Sequence, residues 1–238
     1  MVEPIQQVCA LVLGMRVPPS RDWIPVPAHP LLLQLIAAII ARIFVGPELW
    51  MNPEWHGMVL AYAQAGQAAS QRVRNEYRPW LRWTAKYFDK DVKAIYAARL
   101  KGEKLLQPVI DARLAEDRTR AEGQKPAVND GVRWLIDAYK AEHKPITAEA
   151  ILQDEAFIVA ASVESTAMTA VSILFDLVDR PESLAEIREE IDQVYAQHGS
   201  WTRQALGALR TMDSFMKESQ RLNTSQFSTQ ADPEMRCE

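Results

Sequence analysis

Cysteine is scarce in this chain of 238 residues: there are two, Cys9 and Cys237. Thiols so far apart make no disulfide framework, and no CxxC or Cys/His cluster reads as a zinc site. A reducing compartment is the expectation. Glycine is also sparse, at 9 residues, and alternation of apolar and polar residues is hard to find. Both absences argue against a strand-and-turn protein, so the fold class expected is mainly α. Excess positive charge is missing too. The net charge is -4, with no acidic or basic tail, and no affinity for nucleic acid is expected. No basic segment leads into an apolar run and a small-residue cleavage site, so no signal peptide is expected. The most apolar run, residues 31–45, holds about fifteen residues and includes Gln34 and Arg42, against the roughly 20 that a membrane span needs. It reads as a buried helix, and no membrane anchor is expected in this chain.

What the sequence has is helical spacing. With 48 % hydrophobic and 24 % charged residues, the chain suits one large globular domain or two small ones. A short helix is expected over residues 4–13. Five prolines in residues 16–30 then force an extended connector. An apolar helix over 31–44 ends at Gly46-Pro47. Asn52 is placed to cap the next helix, with Pro53 at its first position. An aromatic linker, "EYRPWLRWTAKYF", leads to a long polar helix over 90–120, whose apolar stripe includes Val92, Ala98, Val109, Ile110 and Leu114. A loop and a helix over 131–143 follow. Thr147 is a plausible N-cap for a central helix of about 32 residues free of Gly and Pro, roughly 48 Å long. Its middle is apolar almost all round, which predicts burial on most sides. Asp179-Arg180-Pro181 stops it, and a charged helix closed by Gly199 precedes a last helix containing "KESQRL".

Two polar features stand against this apolar frame. Within the central helix, "AASVESTAMT" puts Ser162, Glu164, Ser165, Thr166 and Thr169 within about two turns. A buried carboxylate without a partner is costly, and helical Ser and Thr bond back to the preceding turn and bend the helix. An acid beside hydroxyls suits proton relay to a bound species. An interhelical polar contact of Glu164 with a neighbouring cation explains the same pattern. In "FMKESQRLN", Glu218 and Arg221 stand three apart, flanked by Phe215, Met216 and Leu222, on a helix read as partly buried. They form the one E-x-x-R pair of the chain. Such a pair is either a solvated ion pair or a clamp in which the guanidinium fork holds a carboxylate and a carbonyl together.

The order of these motifs resembles the cytochrome P-450 haem-thiolate monooxygenases, nearest the fungal secondary-metabolism type. "AASVEST" is similar to their oxygen-activating helix, "VDRPESLAEIREEI" to the connection and helix after it, and "SFMKESQRLN" to the helix that carries their Glu/Arg pair. "DWIPVPAHPLLLQLIAAIIARIFVGPELWMNPEW" is similar to an upstream region of the same group. The resemblance covers most of residues 1–223, which are expected to form a partial cytochrome P-450 domain, with residues 224–238 a polar, disordered tail outside it. It implies Glu164 as the acid of a proton relay, Ser165 in the place usually held by threonine, and Thr166 as the next hydroxyl. Family members prefer glycine where Ser162 stands. Glu218 and Arg221 are implied as a structural pair bracing the haem-binding core.

The resemblance also implies haem as cofactor, a lipophilic small-molecule substrate, an NADPH-dependent reductase as partner, and the cytoplasmic side of the endoplasmic reticulum membrane as location for full-length relatives. The family's axial cysteine lies in a Phe/Gly/Arg-containing loop well after the Glu/Arg helix. Neither Cys9 nor Cys237 matches that position. The expectation is therefore a truncated chain without the ligand loop, inactive by itself and prone to aggregate through uncovered apolar surface. The alternative is a non-catalytic helical remnant or interaction protein.

Overall fold

The computed structural model describes residues 2–223 apart from residues 18, 23 and 122. The expected polar tail, and with it Cys237, lies outside the described residues. Eleven α-helices are present among the described residues, with no strand: α1 (Val2–Arg16), α2 (Ala28–Phe44), α3 (Gly46–Leu49), α4 (Pro53–Glu76), α5 (Ala85–Phe88), α6 (Lys90–Thr119), α7 (Gly131–Ala141), α8 (Ala148–Val178), α9 (Pro181–His198), α10 (Arg203–Ala208) and α11 (Arg210–Leu222). A 3-10 turn, Pro79–Thr84, precedes α5 within the aromatic linker.

Local chemistry starts and stops these helices as the sequence leads one to expect. Asn52 Oδ1 accepts the backbone N–H groups of Glu54 at 2.8 Å and Trp55 at 3.4 Å, with Pro53 in the first turn. Thr147 Oγ1 accepts the N–H of Ala150 at 3.2 Å. Gly199, at φ +66°, closes α9 in the left-handed conformation. The linker, in contrast, is helical rather than irregular, and α6 runs unbroken through Pro108.

The chain divides into two compact units. The first comprises Leu35–Val163 with Glu3–Pro18, and the second comprises Pro19–Gln34 with the chain from Glu164 onward. In the first, Trp55 and Met58 of α4, Leu106 and Ile110 of α6, Val132 and Ile136 of α7, and Ile151 and Leu152 of α8 form one buried cluster. Burial of each such side chain contributes about 1.5–3 kcal/mol. Gly102 of α6 permits the close approach: a Cβ there would lie 2.8 Å from Leu152 Cδ2 and 2.9 Å from Met58 Cε.

An ionic network lies beside this cluster. Arg113 donates from Nη1 and Nη2 to the two carboxylate oxygens of Glu48, each at 2.9 Å, and from Nη2 to Asp130 Oδ2 at 2.8 Å. The other oxygen of Asp130 caps α7, accepting the N–H of Arg133 at 2.9 Å. Arg133 itself donates to Asp117 at 2.6 Å and to Glu116 at 2.7 Å. Gly46 makes room for this: its φ is +81°, and a Cβ there would stand 2.3 Å from Asp130 Oδ2. Glu155 of α8 is buried, and neither of its carboxylate oxygens has a hydrogen-bond partner among the described residues. Burial, with the Asp130 charge second, pushes its carboxyl well above the usual range.

In the second unit, Val194 of α9, Ala205 of α10 and Leu209 form a small core, with Trp201 and Met212 packed against it. Glu190 reaches from α9 to the start of α11 and accepts the N–H groups of Thr211 at 2.7 Å and Met212 at 3.0 Å. It satisfies donors that α11 leaves open at its N-terminus.

Candidate functional site

The hydroxyl–carboxylate run lies in the middle of α8. Ser162 Oγ donates to the Ile158 carbonyl at 2.6 Å, and Thr169 Oγ1 donates to the Ser165 carbonyl at 2.9 Å. Both are bonds to the preceding turn, the pattern that loosens a helix. Glu164 has 64 % of its side chain exposed, and its Oε1 lies 3.8 Å from Nε2 of His29 on α2. Ser165 is half-buried and Thr166 is exposed.

Burial on most sides is corrected by the structure. Ile151, Leu152, Ala156, Val159, Ala167 and Val171 are buried, whereas Ile158, Met168, Leu174, Phe175 and Val178 are exposed. The helix is apolar because of composition, and by length and composition it could cross a membrane. Its first turns nonetheless belong to the core of the first unit.

Glu218 and Arg221 do pair. Arg221 donates from Nε to Glu218 Oε2 at 2.8 Å and from Nη2 to Oε1 at 2.6 Å. The side-chain bond to Arg221 lowers the Glu218 carboxyl below its ordinary value. Both side chains are exposed, which corrects the expectation of a partly buried pair. The buried polar residue of α11 is Ser219. Its hydroxyl donates to Asp176 Oδ2 of α8 at 2.5 Å, and Asn223 Nδ2 donates to the same oxygen at 2.8 Å. Asp176 also accepts from Arg180 at 3.3 Å. The Ser219 hydroxyl is the leading cause that holds the Asp176 carboxyl low. Sequence reasoning missed this junction, because a lone Asp before D-R-P carries no spacing that points to a partner 43 residues away.

A cleft of about 480 Å³ lies in the first unit, lined by Tyr62, Leu135, Gln153, Asp154 and Ile158. Tyr139 donates its hydroxyl to Asp154 Oδ2 at 2.7 Å, and burial together with that carboxylate pushes the phenol up to about 12. None of Glu164, Ser165 and Thr166 lines this cleft.

The cytochrome P-450 family model matches residues 30–229. The chain is 35 % identical over 227 residues to the cytochrome P-450 monooxygenase cheE of Chaetomium globosum, an alignment covering 94 % of this chain and 43 % of that protein. It is 35 % identical over 211 residues to the cytochrome P-450 monooxygenase ccsG of Aspergillus clavatus, covering 88 % of this chain and 41 % of the relative. It is 32 % identical over 213 residues to the pyrichalasin C-7 hydroxylase of Pyricularia grisea, covering 86 % and 40 %. This chain belongs to the cytochrome P-450 family. It spans less than half the length of these curated relatives.

The family implies haem. The donor set of α8, small and hydroxylated side chains beside an acid, has the chemistry of proton handling beside such a group. Among the described residues no thiolate suited to hold the iron is present. Cys9 is the cysteine among the described residues, it is half-buried on α1, and burial raises its thiol, which keeps it protonated rather than a thiolate. No step through iron is derived from these residues.

Proposed function

We propose that this chain forms the central helical part of a haem- and dioxygen-dependent monooxygenase acting on a lipophilic small molecule in fungal secondary metabolism. The run of Ser162, Glu164, Ser165, Thr166 and Thr169 on α8, inside the family-matched residues, carries the reading. A relative named as a C-7 hydroxylase supports oxygen insertion as the reaction class. Haem, when bound, supplies the redox chemistry that activates dioxygen, with electrons from an NADPH-dependent reductase. Glu164 takes protons from water through its exposed carboxylate, and His29, 3.8 Å away, is its neighbour on that exposed side. The hydroxyls of Ser165 and Thr166 hand protons along the helix. Glu218 and Arg221 stiffen the last turns of α11, and their role as a brace for the haem-binding core is part of this proposal. The cytoplasmic face of the endoplasmic reticulum membrane is the proposed location.

Titration of the chain with haemin tests the reading. A haemin spectrum perturbed by contact with α8 but without a thiolate-type Soret band is expected, and no perturbation at saturating haemin overturns the placing of Glu164, Ser165 and Thr166 beside haem. Reduction under carbon monoxide then reads whether a thiolate holds the iron. Where turnover with a reductase is obtained, Glu164→Gln and Ser165→Ala are expected to raise the peroxide released per NADPH. Unchanged coupling removes both residues from the relay.

A further inference from the structure

The cleft of the first unit holds a carboxylate that the proposed chemistry does not use. Its walls are Tyr62 of α4, Leu135 of α7, and Gln153, Asp154 and Ile158 of α8, and its volume is about 480 Å³. That lies within the roughly 300–1,000 Å³ of small-molecule sites. Tyr62, Leu135 and Ile158 give it an apolar and aromatic lining suited to a lipophilic body. Asp154 is satisfied on one side alone. Its Oδ2 accepts the Tyr139 hydroxyl at 2.7 Å, and no donor or cation among the described residues meets Oδ1. Tyr139 is itself buried, which fixes the donor and with it the carboxylate. Lys144 stands near, its Nζ 5.8 Å from the centre of the Tyr139 ring, but it is bonded to Glu142 at 2.5 Å. Gln153 adds an amide with no partner among the described residues.

A fixed anion beside an apolar wall selects its ligand by charge. An anionic ligand is repelled. A neutral alcohol donates one hydrogen bond, whereas an ammonium donates up to three, each charge-assisted and about twice as strong. A metal ion needs several oxygen or nitrogen ligands, and no group of three or more His, Cys, Asp or Glu that could hold one is present among the described residues. We propose that this cleft binds a lipophilic amine, its ammonium on Asp154 Oδ1 and the Gln153 amide oxygen, its hydrocarbon against Tyr62, Leu135 and Ile158. None of Glu164, Ser165 and Thr166 lines the cleft, so the proposal stands on the cleft alone and needs no haem.

The test uses the full chain without haem and three probes of one chain length, decylamine, decanol and decanoate, each kept below its aggregation concentration and followed by equilibrium dialysis. Saturable binding is expected, with the amine roughly tenfold tighter than the alcohol and decanoate the weakest. Asp154→Asn keeps an acceptor for Tyr139 and is expected to bring the amine down to the level of the alcohol. Asp137→Asn removes the same charge from an exposed position of α7 and is expected to change nothing, which separates the cleft from general attraction to a chain of net charge -4. Ile158→Trp fills the cleft and is expected to abolish amine and alcohol binding alike, with far-ultraviolet dichroism unchanged. The proposal is overturned by equal binding of amine and alcohol, or by an amine preference that survives Asp154→Asn. It is equally overturned by an equal loss in Asp137→Asn, by binding that persists in Ile158→Trp, or by no saturable binding. Because amine binding is read without haem, its failure leaves the monooxygenase reading standing, and an unperturbed haemin spectrum leaves this one standing.

Discussion

Asp176 on α8 receives the hydroxyl of Ser219 on α11 at 2.5 Å, and the side chain of Asn223 joins on the same oxygen. Three donors with Arg180 converge on one carboxylate, so polar contact joins the end of the long helix to the last described helix. Ser219→Ala removes a hydrogen bond from a buried hydroxyl and is expected to cost about 1 kcal/mol, read as a lower urea midpoint. Asp176 is held below its ordinary value of 3.8 by the Ser219 hydroxyl. Its stabilisation is therefore present above the unfolded-state value and fades as pH falls through the lower folded-state value. In Asp176→Asn that acid-side loss is expected to disappear.

Glu155 has the opposite sign. Its carboxyl is pushed well above the ordinary 4.5 by burial, so the folded chain keeps a proton that the unfolded chain releases. Stability is expected to be greatest below about the unfolded-state value and to fall as pH rises toward the folded-state value, by up to about 1.4 kcal/mol per pH unit. Glu155→Gln should flatten that slope and raise the urea midpoint at neutral pH. A slope identical to that of the parent chain would show that Glu155 does not hold its proton.

Arg113 stands between Glu48 and Asp130, and both contacts are lost together in Arg113→Ala. Asp130 is then left buried without its cation. A cost of roughly 3–5 kcal/mol is expected, enough to unfold much of the first unit at physiological temperature. Loss of helical dichroism and of two-state urea unfolding are the readouts.

Glu218→Gln is expected to leave the urea midpoint of this chain unchanged, because the pair is solvent-facing and local to α11. A large destabilisation would mean that the pair already braces a core in this chain.

Much of the fold was legible because helix signals are local. Asn52-Pro53, Thr147 and Gly199 act within one turn of themselves, so their spacing alone marks a boundary. The apolar stripe of α6 held at Ala98, Val109 and Ile110 for the same reason. The helical form of the aromatic linker was missed, since Pro79 looks like a breaker yet starts the 3-10 turn. What covers a helix is not local. The composition of α8 fitted burial throughout, but its second half has neighbours on part of its circumference alone, and composition carries no record of that. The family relationship was readable from motif order. The candidate relay residues were named from that resemblance, while the Glu48–Arg113–Asp130 network was not, because its partners come from three separate helical regions.

Asp130 divides its two oxygens between separate tasks, one starting α7 and the other meeting Arg113 of α6. Helix initiation in one segment is thereby tied to side-chain docking from another. Neither α7 nor its junction with α6 gains full stability until the other has formed, so this corner of the molecule is built to melt in a single step rather than to fray from an end.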